Sequence, residues 1–262
     1  MAIQWIKRLV ELATKPEEKV ENLPASSLGA IKLDQSNGVK SESNAGNHDP
    51  LFGVKKGGKE VAAKLFAAMS GEKGIHLESL LCALGAIAGY SCQISVREEF
   101  VHQQGRPEKE VFIVVNSKLN GSSYFFGDLL NKPLAESRYS VWSLSSGATQ
   151  KLGLVKLIDL HDIFRHVTDT LGLASFGVPR IPAEHGAKEL PINYVRFLWP
   201  QLFPLAQRYC SKPGDWPVLF GVAVQEILFA SKGLIDPELA LKIVMESAIP
   251  MSKIYLHETA SA

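Results

Sequence analysis

The chain is short of the residues that announce chemistry. Its 262 residues hold only three cysteines, at 82, 92 and 210. No CxxC pair occurs and no Cys/His group has zinc spacing, which removes the commonest structural metal sites. An odd number of widely separated cysteines also argues against a disulfide framework. All three read as reduced thiols of a cytoplasmic protein. Neither sign of charge is in excess: 28 Lys and Arg stand against 27 Asp and Glu, a formal net charge of +1. Nucleic-acid binding through phosphate neutralisation shows as a basic excess or stripe, so no nucleic-acid partner is expected. The patterns G-x-S-x-G, H-E-x-x-H, G-x-G-x-x-G and Walker A are all missing. "NGSSYFFGD", from Asn120, has two glycines but neither the spacing nor the following helix of a phosphate loop. No cofactor is implied.

Long unbroken apolar runs are lacking as well. The most apolar stretch, residues 216–235, is interrupted by Gln225 and Glu226, which points to a buried helix and no transmembrane segment. The N-terminus "MAIQWIKRLVELATK" has no long apolar region and no small-residue cleavage site, so no secretory signal is expected.

What is present is enough apolar residue, 46% of the chain, to bury a sizeable core. Residues 1–14 carry Ile3, Ile6, Leu9 and Val10 at helical spacing, widened by Trp5 and Leu12, with Lys7, Arg8 and Glu11 largely opposite. This is an amphipathic N-terminal helix, and Trp5, Ile6 and Leu9 are its candidate partner-binding residues. Residues 15–52 are rich in Ser, Asn, Gly and Lys without a sustained period and read as a flexible linker. Residues 53–257 read as a single globular α+β domain, with a β-containing part at 53–150 and a helical part at 151–257.

Within the first part, "GIHLESLLCALGAIAGY" predicts an apolar helix ending near Tyr90. The period then changes to two: Tyr90, Cys92, Ile94 and Val96 alternate with Ser91, Gln93, Ser95 and Arg97. That predicts a strand at 90–98. "EVFIVVNS" predicts a second at 110–117, and "SSYFF" a third near 122–127, joined through Asn120-Gly121, a strong hairpin signal. "VWSL" at 141–144 is a possible fourth. The expected fold is therefore α+β: an antiparallel three- to four-stranded meander packed on helices, followed by a C-terminal α-helical bundle.

Candidate site residues fall in the helical part. Glu226 and Glu246 lie in nearly all-apolar helices, where a carboxylate must be paired, hydrogen-bonded or protonated. With His161 they are the candidates for acid/base catalysis. The competing reading is structural pairing with Arg165, Arg196 or Arg208. Asp162 and His166, four residues apart on one helix, have the spacing of metal ligands, but a solvated ion-pairing face is the favoured explanation and no metal is expected. Arg180 and His185 lie in the loop "FGVPRIPAEHG" and are candidate ligand-binding groups. Trp199 and Trp216, both next to prolines, either line a pocket with them or anchor the core. Cys82 and Cys92 sit among apolar neighbours and read as core.

The missing catalytic motifs, balanced charge and tethered helix point to a non-enzymatic cytosolic protein-binding or adaptor module. Its partner would be another protein or a second copy. The alternative is a small hydrolase or ligand-binding enzyme using Glu226, Glu246 and His161 in a helical cleft.

Overall fold

The computed structural model describes Asp49, residues 51–72 and residues 74–256. The predicted N-terminal helix, with Trp5, Ile6 and Leu9, and nearly all of the predicted linker lie outside the described residues. Among the described residues, seven helices of ten residues or more form the body: α1 (Phe52–Met69), α2 (Leu77–Val96), α3 (Val141–Lys151), α4 (Leu160–Asp169), α5 (Pro191–Tyr209), α6 (Trp216–Ala230) and α7 (Pro237–Met251). The strands among the described residues are one antiparallel pair, β1 (Ile113–Asn116) and β2 (Ser123–Phe126), between α2 and α3 in the chain order.

This overturns the expected meander. The molecule is 65% helix and 5% strand, and its sheet has two strands, not three or four. Residues 90–98 are helical: α2 runs through them and continues as a π-helix, Arg97–Gln103. The alternation that imitates a strand arises because the helix is buried on every side. Its hydroxyl and thiol groups are satisfied by its own backbone: Ser91 Oγ and Cys92 Sγ donate to the Ala88 carbonyl, and Ser95 Oγ to that of Cys92. With no solvated face, polar residues no longer mark the helical period. "VWSL" is likewise helical, the first turn of α3. Ser140 caps it, its Oγ accepting from the Ser143 N–H at 3.1 Å.

α2 is the axis of the bundle. It packs against α5, α6 and α7, while α1 covers α5 and α6, and α3 covers α6 and α7. Leu80, Leu81, Leu84 and Ile87 are wholly buried at its centre. Gly85 and Gly89, one turn apart, let α7 come into backbone contact: a Cβ on Gly85 would lie 3.0 Å from Val244 Cα, and one on Gly89 2.6 Å from Ala248 Cα. Of the described helices, only α2 with its continuation, Leu77–Gln103, is long and apolar enough to cross a membrane, and 94% of its most apolar window is buried inside the protein. α5 continues through both Pro200 and Pro204, where the sequence predicts a kink or break.

The hairpin has the predicted turn. Gly121 adopts φ +71°, and the Asn120 Oδ1 accepts from the Ser122 N–H at 3.0 Å. β2 is the anchored strand: Tyr124 packs with Tyr90 and Val195 in one apolar cluster, and Phe125 with Val96, Val111 and Phe112 in another. β1 is exposed along its whole length.

Two glycine substitutions check this arrangement by urea unfolding. Gly89→Ala is expected to lower stability by about 1–3 kcal/mol, because the added methyl meets α7 backbone that cannot move alone. Gly147→Ala in α3, where nothing lies within 4 Å of the new Cβ, is expected to raise stability by about 0.5–1 kcal/mol.

Candidate functional site

Glu246 of α7 is 2% exposed and closed off by the loop that follows α4. Arg180 Nε donates to Glu246 Oε1 at 2.9 Å and Nη2 lies 2.8 Å from the same oxygen. Its Nη1 reaches Asp162 Oδ2 at 2.9 Å, while Arg165 holds Asp162 Oδ1 at 2.6 Å. Hydrogen bonds from Arg165 and Arg180 keep the Asp162 carboxyl below its usual range. The four charges tie α4, the loop and α7 together. Asp162, a candidate metal ligand, is committed to two arginines. Among the described residues no three His, Cys, Asp or Glu side chains converge on a metal position.

The candidate acid/base groups are not joined. No hydrogen bond or ion pair links Glu226, Glu246 and His161 among the described residues; Glu226 is half-buried on α6 and His161 is exposed on α4. His185 turns to α2, its Nδ1 lying 3.0 Å from Glu78 Oε1, while His76 caps α2 with Nδ1 accepting from the Ser79 N–H at 3.3 Å. Burial pushes the Glu78 carboxyl up, but the hydrogen bond from His185 and the neighbouring His76 outweigh it and leave it below its ordinary value. Trp199 and Trp216 belong to an aromatic stack. Trp199 lies on Phe203 at 4.9 Å, Phe203 meets Trp216 edge-on at 4.9 Å, and Trp216 Nε1 donates to the Cys210 carbonyl at 3.0 Å. A cavity of about 310 Å³ lies elsewhere, between the end of α3 and the α6–α7 turn. Its lining includes Lys232 but no carboxylate, imidazole or thiol. Burial pushes the Cys82 thiol up to about 12 and Cys210 to about 11, and raises Cys92 further, so none is a ready thiolate.

Two buried cations escape sequence reasoning. Arg97, 4% exposed, begins the π-helix and stacks on the rings of Tyr255, Phe125 and Phe112 at 4.0, 4.8 and 5.1 Å. One guanidinium arm pairs with Glu108, while its Nε and Nη2, and the amide of Gln93 one turn earlier, have no hydrogen-bond partner among the described residues. Lys253, wholly buried just beyond α7, lies 5.2 Å from the Phe126 ring and 5.3 Å from that of Phe164, and donates to Asn131 Oδ1 at 3.4 Å. Burial pulls its ammonium down to about 8, partly opposed by nearby Cys92. The only signal in sequence was a lysine flanked by Ile254, Tyr255 and Leu256.

The outermost feature is the free edge of β1. The pairs Ile113–Phe126, Val114–Phe125, Val115–Tyr124 and Asn116–Ser123 set the register. The Ser117 N–H donates to the Ser122 carbonyl, so in antiparallel alternation Val115 and Ile113 also bond inward and Val114 and Asn116 point their backbone groups outward. On the far side of β2 the Phe125 N–H donates to the Lys253 carbonyl at 2.9 Å, which covers that edge. Among the described residues nothing covers the outer edge of β1, and Ile113 is 66%, Val114 36% and Val115 37% exposed. No charge interrupts residues 111–117, so the edge lacks the lysine or proline that usually guards such a strand. No family model, curated protein or solved structure matches this chain.

The buried lysine makes a pH prediction. Below about pH 8 the folded protein carries a desolvated ammonium that the unfolded chain solvates, so Lys253 costs stability there. Stability from this group rises between about 8 and 10.5, where the unfolded chain still holds the proton and the folded one does not. Lys253→Met is expected to gain about 1–3 kcal/mol near neutral pH in urea unfolding. That gap should narrow towards about pH 9.5; a constant gap would contradict the assigned cause.

Proposed function

We propose that the chain is a non-enzymatic protein-binding module that receives an extended segment of another polypeptide along the edge of β1. The observation that carries the reading is an uncharged strand edge left uncovered among the described residues, with outward backbone groups at Val114 and Asn116 and aliphatic side chains on both faces. Strand addition draws affinity from main-chain hydrogen bonds and selectivity from alternate side chains. The ligand that fits is therefore an extended, uncharged segment with β-branched or aliphatic residues at alternate positions. Reduced, buried thiols support placing the protein in the cytosol. The hydrolase alternative has less behind it: Glu246 is engaged by Arg180, His161 is exposed, and the cavity has no acid/base pair.

Selection of random ten-residue peptides on the full chain tests this. Enriched peptides should carry alternating β-branched residues. They should bind at least about tenfold more weakly to the Val114→Pro chain, which loses an outward N–H without losing a hairpin bond. Arg180→Met should leave binding unchanged. Peptides indifferent to Val114→Pro, or no enrichment, would overturn the reading.

A further inference from the structure

The cavity between the end of α3 and the α6–α7 turn shares no residue with the strand edge and has a chemistry of its own. Its walls are the side chains of Leu152, Ile235, Pro237 and buried Ala240. Ser231 also lines it, but its hydroxyl is committed: Oγ donates to the Leu228 carbonyl at 2.8 Å. Lys232 supplies the charge of the lining, and its ammonium has no ion-pair or hydrogen-bond partner among the described residues. We infer that the cavity is a binding site for an aliphatic monocarboxylate, a fatty acid of short to medium length. Its chain enters the cavity and its carboxylate pairs with Lys232.

Size, wall chemistry and charge select this ligand together. Apolar walls hold water poorly and take apolar matter instead. The volume of about 310 Å³ sits at the lower end of small-molecule sites. It is roughly ten times the share of one water in the liquid, room for a chain of about eight carbons. The charge facing such a ligand is positive. Asp236, next in sequence to two lining residues, turns to the start of α7, where Oδ1 accepts from the Glu238 and Leu239 N–H groups at 2.9 and 3.0 Å. Neither Asp236 nor Glu238 lines the cavity. Lys151, the neighbour of Leu152, brings a second ammonium to this end of the bundle, 5.9 Å from the Phe229 ring. The mouth is open: Lys232 and Gly233 are exposed, and a Cβ on Gly233 would meet nothing within 4 Å. An exposed lysine that also lines an apolar wall lays its stem on the wall and keeps its head at the water. A carboxylate therefore meets Lys232 at the mouth while the alkyl chain points inward.

The experiment titrates the full chain with sodium octanoate to about 10 mM, followed by amide NMR shifts near neutral pH. The expected result is saturation with a Kd of about 1 mM or tighter, with shifts centred on Leu152 and on the turn from Ser231 to Ala240. Hexanoate should bind more weakly by about fourfold for each methylene removed, and chains longer than the cavity should gain little more. Octanol, which lacks the charge, should bind about three- to fivefold more weakly than octanoate, and octylammonium more weakly still. Lys232→Met should erase the preference for octanoate over octanol and leave octanol binding in place. Lys232 is exposed, so this variant keeps the fold, which its own NMR spectrum checks. Ala240→Met, which extends a side chain into the cavity, should weaken both ligands at least about tenfold. Val114→Pro should change nothing, which separates this site from the strand edge. Absence of saturable shifts, or shifts centred on other residues, would overturn the inference. So would octanoate binding that is indifferent to Lys232→Met. Equal binding of octanol and octanoate to the unaltered chain would mark the cavity as a socket for an uncharged aliphatic side chain of a protein partner, and would overturn it as well.

Discussion

The backbone contact between α2 and α7 is the constraint on which the rest of the structure depends. Gly85 and Gly89 remove two side chains one turn apart, and the Val244 and Ala248 backbone fills their place. With α5 and α6 on its other sides, α2 becomes a helix without a solvated face. The hydrophobic term does most of the work here, since dozens of apolar side chains leave water around this axis. Close approach of the backbones then decides which helices are neighbours. The remaining helices cover what this central contact leaves open.

A fully enclosed helix carries a cost in its polar residues. Ser91, Cys92 and Ser95 return their hydrogen bonds to the helix itself, which is tolerable because each bond is local. Charged groups have no such local remedy. Arg97 is held by aromatic faces and one carboxylate, Lys253 by two rings and one amide oxygen, and Glu246 by Arg180. These arrangements fasten the hairpin, the last described residues and the long loop to the bundle. They give the buried charges a structural role in which pairing and cation–π attraction offset only part of the desolvation, least for Lys253.

The hairpin inherits its asymmetry from the same core. β2 is drawn inward on both faces, by Tyr124 on one side and Phe125 on the other, and its outer edge is covered by the segment at Lys253. Among the described residues β1 is left exposed, with its outer edge uncovered. The candidate binding element is thus a consequence of packing: anchoring one strand firmly presents the other.

Read alone, the sequence determined the elements whose signals are local. Asn120-Gly121 marks the hairpin because few residues accept a positive φ. Residues 90–98 and 141–144 were misread as strands, since a four- to nine-residue alternation does not separate a strand from an enclosed helix. The candidate residues Glu246, Arg180 and Asp162 were visible singly, but their joining depends on a loop closing over two helices, which no spacing encodes. Lys253, Arg97 and the bare edge of β1 owe their character to what surrounds or fails to surround them. Burial and exposure are properties of neighbours distant in the chain, and only the tertiary structure decided them.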